Sequence, residues 1–274
     1  MHASIFLQLA VFIGIAASSA LHFVDPRDGA PKYYTQCVEE GQMAIAFDDG
    51  PWIYEPYILD VLKQANITAT FFLNTNNYGC IYNETLLEQV RAVIAANHVV
   101  GCHGERHLDL TTLNDTQRNA EIGNCLTGIK KVTGYLPAFF RPPYGAQNAD
   151  VLKALAAFNL TAVGWDEDTE DSKEGATYAN SKAVVDDMAN SGFDQGMALW
   201  LMHETYGGYF FGSDILTALN ASLEFTAKQL LQYIIDVGND QGFTFVTVPE
   251  CLGMKGMEYQ SIGQPAKRDF TWHC

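Results

Sequence analysis

Met43-Ala44-Ile45-Ala46-Phe47-Asp48-Asp49-Gly50-Pro51 decides how the rest of the chain is read. A short apolar run ending in two adjacent acids and an Asp-Gly-Pro turn describes a strand that delivers a pair of carboxylates to its C-terminal end. Further short apolar, β-branched or aromatic runs follow at Thr68–Leu73, His98–Cys102, Pro137–Arg141, Leu160–Trp165, Ala198–Met202 and Phe243–Val248. Between them lie amphipathic stretches. Leu86, Val90, Val93 and Ile94 are spaced as one helical face, as are Ile122, Leu126 and Ile129, and Leu223, Ala227, Leu230, Leu231 and Ile234. Asn83 is a helix start signal, and Gly134 and Gly238 are stop signals.

Repeated strand–helix units require parallel strands joined by right-handed crossovers. The length suits one barrel or one open doubly wound sheet. The polar residues separate the two, because Asp48-Asp49, His103, Arg141, Asp168 and His203 each end or closely follow a different strand. A (β/α) barrel gathers strand C-terminal ends at one mouth, so residues far apart in the chain meet there. The reading is therefore an α/β chain, a (β/α) barrel of about seven parallel strands in a single domain, with one shared site.

Composition limits the partners. With 16 Lys and Arg against 32 Asp and Glu the formal charge is −16, and 48% of the 274 residues are hydrophobic while 18% are charged. That composition excludes a disordered chain. It also supplies no basic stripe for phosphates, which argues against nucleic acid or an anionic membrane as partner.

Residues Ser4 to Ala17 are apolar except for Gln8, and Ser18-Ser19-Ala20 has the small-x-small pattern of a signal-peptidase site. A membrane anchor needs about 20 apolar residues, more than this stretch offers. The expectation is a signal peptide over 1–20, a catalytic domain over 21–274, and a secreted, extracellular monomer with no membrane attachment after cleavage. Five Asn-x-Ser/Thr sequons, at Asn66, Asn83, Asn114, Asn159 and Asn220, point to a glycoprotein. Six cysteines, an even number in an exported chain, favour disulfides.

The chemistry is read from residue types. Two adjacent carboxylates repel unless a cation sits beside them, so Asp48-Asp49 suits one metal ligand and one general base. An exposed acidic turn is the plainer alternative. His103-Gly104-Glu105-Arg106-His107 brings two imidazoles to one side if the chain coils after its strand. With one carboxylate they make three ligands and leave a position open, the pattern of a catalytic rather than structural zinc site. Such an ion lowers the pKa of water to about 7 and polarises a carbonyl, which equips the site to hydrolyse an amide or ester. Amide cleavage also needs a proton for the departing nitrogen, and His203, partnered by a carboxylate from the Asp168/Asp171 segment, could supply it.

In order along the chain, these segments resemble the polysaccharide deacetylase family, carbohydrate esterase family four, and in particular its fungal chitin deacetylases. The family pattern TFDDGP, H[ST]xxH, RxPY, DxxDW and LxH is met at Ala46–Pro51, His103–His107, Arg141-Pro142-Pro143-Tyr144, Asp168-Thr169-Glu170-Asp171-Ser172 and Leu201–His203. The resemblance implies a distorted (β/α) barrel. It further implies that Asp48 is the general base, oriented by Arg141, and that Asp49, His103 and His107 hold a divalent metal, zinc or alternatively cobalt. The same likeness makes the Tyr144 backbone N–H an oxyanion donor, His203 the general acid, Asp171 the group that tunes it, and Leu201 part of the acetyl pocket. Pro142-Pro143 would stiffen the backbone that presents the oxyanion donor.

Three positions depart from the pattern. Gly104 replaces the usual Ser or Thr, Leu108 replaces a common Pro, and Ser172 replaces the Trp that closes DxxDW, so a flat apolar wall is missing unless Trp165 or Tyr206 supplies it. Cys37 precedes the first strand and Cys251 follows the last, so barrel closure should pair them, and the likeness to fungal members agrees. Cys102 points away from the metal if its segment is extended, with Cys80, Cys125 and Cys274 as candidate partners. The expected activity is removal of N-acetyl groups from chitin or chitin oligosaccharides. Alternatives are an O-acetyl xylan esterase or other polysaccharide deacetylase, or a weak homologue that only binds chitin fragments. Trp52, Tyr144 and Tyr209 are the candidate sugar contacts.

Overall fold

Each of the apolar runs forms a strand, and helices occupy the segments between them. The computed structural model describes residues 32–193, 196–205 and 225–274. The segment 1–20, Tyr206, Tyr209, Asn220 and Leu223 lie outside the described residues. In chain order the elements are β1 Tyr33–Tyr34, β2 Gln42–Ala44, β3 Ala46–Asp48, α1 Glu55–Ala65, β4 Thr70–Leu73, α2 Glu84–Ala95, β5 Val99–Cys102 and α3 Asp115–Thr133. They continue with β6 Leu136–Pro137, β7 Phe139–Phe140, α4 Ala149–Ala157, β8 Thr161–Val163, β9 Glu167–Asp168, α5 Tyr178–Ser191, β10 Ala198–His203, α6 Leu231–Asp240, β11 Thr244–Val246 and β12 Tyr259–Ser261.

The main sheet runs β1-β8-β7-β5-β4-β3-β10-β2-β11, with β9 beside β10. Its pairings are parallel, whereas β12 pairs with β6 antiparallel in a separate two-stranded sheet. The run Met43–Phe47 is split at Ile45, because β10 pairs with β2 through Ala198 and Leu199 and with β3 through Met202 and His203. Pro137–Arg141 is split as well, since β6 leaves the main sheet to pair with β12. These breaks distort the barrel. Among the described residues no pairing joins β11 to β1. The Cys37–Cys251 disulfide ties the segments that follow those two strands, helped by a 2.8 Å hydrogen bond from Val38 N–H to the Cys251 carbonyl.

Two apolar clusters follow from the strand period of two. Met43, Phe47, Phe71, Val100, Phe140 and Trp200 pack towards the helices, whereas Ala44, Ala46, Phe72, Phe139, Val163 and Leu199 form the smaller second cluster inside the barrel. Asp48, Arg141 and His203 continue the inward phase of Ala46, Phe139 and Leu199. The barrel interior therefore ends, at the C-terminal side of its strands, in charged and imidazole side chains.

The helix signals behave mostly as read. The Asn83 side chain caps α2 by accepting from the N–H groups of Thr85 and Leu86, and Gly134 ends α3 at φ +85°. Gly238 does not end a helix. It lies inside α6, where a Cβ would stand 2.6 Å from Phe245 Cζ, so close packing on β11 explains the glycine. Ala227 and Leu230 belong to a wider turn, Thr226–Leu230, that leads into α6. The remaining disulfides are Cys80–Cys274 and Cys102–Cys125. Asn66, Asn83, Asn114 and Asn159 are exposed. Among the described residues no helix is long and apolar enough to cross a membrane.

Candidate active site

Asp48 ends β3 directly opposite His203 of β10. Neighbouring side chains on a strand point to opposite faces, so Asp49 could not share the mouth with Asp48 if the chain stayed extended. It turns instead, with φ +75°, a conformation that Asp tolerates better than most residues, and the Gly50–Pro51 peptide is cis. His103 is the first residue beyond β5, and His107 is reached by a coil that passes Gly104 at φ +88° and His107 itself at φ +57°. The ligand atoms of Asp49, His103 and His107 then lie within 4.8 Å of one another. Asp49 Oδ1 is 3.3 Å from His107 Nε2 and 3.7 Å from His103 Nε2.

These three side chains fit a divalent cation. Asp49 Oδ1 is buried yet has no hydrogen-bond partner, an orphaned acceptor of the kind a cation satisfies. The Arg141 backbone carbonyl lies 2.5 Å from His103 Nδ1, so it accepts the proton there and leaves the Nε2 lone pair facing Asp49. Burial pushes both imidazoles down, to about 3, helped at His107 by its neighbour His103. Both rings are therefore neutral, the form that binds metal. Burial drives the Asp49 carboxyl the other way, up to about 7.

Arg141, fully buried, donates from Nη1 to Asp48 Oδ1 at 3.0 Å. Its guanidinium is 4.5 Å from the Phe72 ring centre and 5.8 Å from that of Trp165. Burial raises the Asp48 carboxyl, and the Arg141 charge opposes that rise. Asp48 Oδ2 also stands 3.6 Å from His103 Nε2, which puts this acid beside the three candidate ligands. Tyr144 takes φ +61° in the turn Pro143–Gly145, is 66% exposed, and sets its ring edge-on to His107 at 4.4 Å.

His203 is the histidine with the opposite charge state. Burial disfavours its cation, but Asp171, 2.7 Å from Nδ1, overrides burial and lifts the imidazole to about 9. Asp171 also accepts from the His203 backbone N–H at 2.9 Å and from the Thr226 hydroxyl at 2.9 Å. The structure thus selects Asp171 over Asp168, whose Oδ1 accepts from Glu170 N–H instead. Leu201 is buried on the same strand face, two residues before His203. Trp165 packs on Gly145 as well as near Arg141, whereas Ser172 presents no ring.

Several contributing residues escaped the sequence reading. Asn74 donates its N–H to the Gly50 carbonyl at 2.8 Å and its side-chain amide to the carbonyls of His103, at 2.6 Å, and Gly104, at 3.0 Å, so it joins the acid turn to the histidine loop. Glu55 and Glu204 are buried carboxyls, pushed up by burial, Glu55 to about 8. Thr226 and Glu121 are further examples. Only the position of Glu204, directly after His203, offered any signal.

A parallel barrel whose strand ends gather two acids, two neutral imidazoles and one charged imidazole has the parts of a hydrolase site. The comparisons give that class its family. The polysaccharide deacetylase family model matches residues 35–163. The chain is 30% identical over 211 residues to the peptidoglycan-N-acetylglucosamine deacetylase of Bacillus cereus, covering 77% of this chain and 68% of that one. It is 29% identical over 218 residues to a chitin deacetylase of Colletotrichum lindemuthianum, covering 80% and 82% respectively. The solved structure of the chitin deacetylase from that fungal pathogen superposes with a TM-score of 0.73 at 27% identity, covering 84% of this chain and 96% of that one. The chain belongs to the polysaccharide deacetylase family.

Proposed function

We propose that the protein is a secreted, divalent-metal-dependent deacetylase that hydrolyses the N-acetyl groups of chitin or chitin oligosaccharides to acetate and free amine. The catalytic domain is 21–274, released from the signal segment 1–20, and acts as a monomer. Three disulfides support an oxidising, extracellular destination. The likeness to a fungal chitin deacetylase over most of both chains supports chitin as the polymer. Tyr144, exposed, and Trp52, half-buried beside Tyr78, are the sugar contacts proposed at the mouth.

The single observation that carries the reading is the burial of Asp48 between Arg141 and the Asp49, His103 and His107 ligand set, across from a histidine kept charged by Asp171. Mixed imidazole and carboxylate donors suit zinc, with cobalt as a working substitute. When bound, the ion lowers the pKa of water and polarises the acyl carbonyl. Asp48 takes the proton from the attacking water, and Arg141 holds its carboxylate in place. The Tyr144 backbone N–H meets the developing oxyanion. His203 gives its Nε2 proton to the departing amine, while Asp171 keeps that imidazole charged and oriented. Leu201 lines the space for the acetyl methyl.

The test is acetate release from chitin oligomers by the purified protein, after chelation and after zinc or cobalt is returned. Release that stops with chelator and recovers with metal is the expected result. Activity confined to acetylated xylan or peptidoglycan would reject the polymer. Oligomer binding without acetate release, whatever the metal, would reject the enzyme.

A further inference from the structure

The loop that carries both histidine ligands contains a flexible residue, Gly104, at a position where the family pattern has Ser or Thr, and it is held from outside the barrel. Glu121, fully buried on α3, reaches into it. Its Oε2 accepts from the Arg106 backbone N–H at 2.9 Å, and its Oε1 accepts from the Arg106 side chain at 2.7 Å from Nε and 2.6 Å from Nη2. One turn further along the same face, Asn124 donates to the Glu105 carboxylate at 2.8 Å, and Cys125 is bonded to Cys102, the residue before His103. Residues 121, 124 and 125 form one helical edge. That edge grips positions 102, 105 and 106, on either side of His103 and immediately before His107.

We propose that Glu121 is a positioning residue for the metal site, acting through the Arg106 main chain to set the spacing of His103 and His107. The inference rests on the metal reading above. A carboxylate buried this completely beside a half-exposed arginine is a poor way to gain stability alone, because its desolvation offsets most of the ionic attraction. What it does supply is direction. One of its oxygens is committed to a main-chain N–H inside a five-residue ligand loop whose other anchors, the Asn74 amide on the His103 and Gly104 carbonyls and the Asn76 N–H on the Glu105 carbonyl, stop short of Arg106; without that acceptor the last step to His107, at positive φ, loses a main-chain restraint. Outer partners of ligands commonly alter metal affinity by tenfold or more when removed.

The experiment measures zinc affinity of the metal-stripped full chain by competition with a chromophoric chelator, together with the visible spectrum of the cobalt form and amide hydrogen exchange of residues 103–107 without metal. Glu121→Met removes both acceptor oxygens and is expected to weaken zinc about tenfold, change the cobalt bands and speed exchange at Arg106. Arg106→Lys keeps the charge and the main-chain N–H but loses the planar fork, and is expected to weaken zinc less, about threefold. The double variant should bind no more weakly than Glu121→Met, since the ion pair that Arg106→Lys weakens is already absent there. Parental affinity and cobalt spectrum in Glu121→Met would overturn the role. If that variant does not fold, an unaltered zinc affinity and exchange rate in Glu121→Asp, whose carboxylate falls one methylene short of the Arg106 N–H, would overturn it equally. A parent that binds neither zinc nor cobalt would instead overturn the metal reading, and this role with it.

Discussion

Replacing Asp171 by Asn isolates the interaction that distinguishes His203 from the other two site histidines. Asp171 accepts three hydrogen bonds, from His203 Nδ1, the His203 backbone N–H and Thr226. An amide has a single acceptor oxygen, so at least one of the two His203 contacts is lost, and the negative charge goes with it. The parent imidazole stands at about 9 against an ordinary 6.5, a difference worth about 3–4 kcal/mol at ~1.4 kcal/mol per tenfold. Without the charge, burial alone acts and takes the imidazole below 6.5. At pH 7 the acid form then falls from nearly all of the molecules to less than about a quarter. Loss of orientation adds to this, for a total of about a hundredfold in kcat. The assay is acetate release across pH. The alkaline limb that His203 sets in the parent should move to lower pH. Stability changes in the matching direction: a raised imidazole stabilises the fold fully below pH 6.5 and loses that contribution as pH rises through about 9. Metal-stripped parent and variant should therefore differ most in acid and converge in alkali. An alkaline limb that stays in place would refute the pairing of Asp171 with His203 as the source of the acid.

Asp48→Asn should abolish turnover while zinc content, read by elemental analysis, stays at the parental level; His107→Ala should lose the zinc itself. Gly50→Ala would set a Cβ 1.3 Å from Glu204 Oε1, in a place where the buried carboxyl has little room to retreat. A loss of about 1–3 kcal/mol in denaturant unfolding is expected, and a neutral result would show that Glu204 does not occupy the underside of the turn. His98, depressed to about 4 by burial, accepts the Ala69 N–H at 3.1 Å through Nδ1. Its unfolded form takes up a proton first, so stability should be full above pH 6.5 and fall as pH drops towards 4, a slope that His98→Gln should flatten.

Much of the site was legible because its residues carry chemistry that has few other uses in such places. Adjacent acids at the end of an apolar strand, paired imidazoles after another, and an arginine ending a third are costly to bury without a purpose. The barrel reading needed only that these ends converge, and the inward phase of Asp48, Arg141 and His203 follows from strand alternation. The Cys37–Cys251 pairing was readable because a barrel brings its first and last segments together, although no strand pairing joins β1 to β11 among the described residues. Gly238 was misread because a glycine that ends a helix and one that lets a strand approach look alike in sequence.

What the amino-acid order determined by itself is the inventory and its approximate placement: which acids, imidazoles and cysteines exist, and at which strand ends they emerge. Which of Asp168 and Asp171 partners His203, which cysteine takes Cys102, and that Glu121 reaches Arg106 were decided only when the chain folded. So were the opposite charge states of His203 and the His103–His107 pair, because the same imidazole is neutral or charged according to its burial and the carboxylate it meets. Those are distances between residues remote in the chain, and a local pattern carries no record of them.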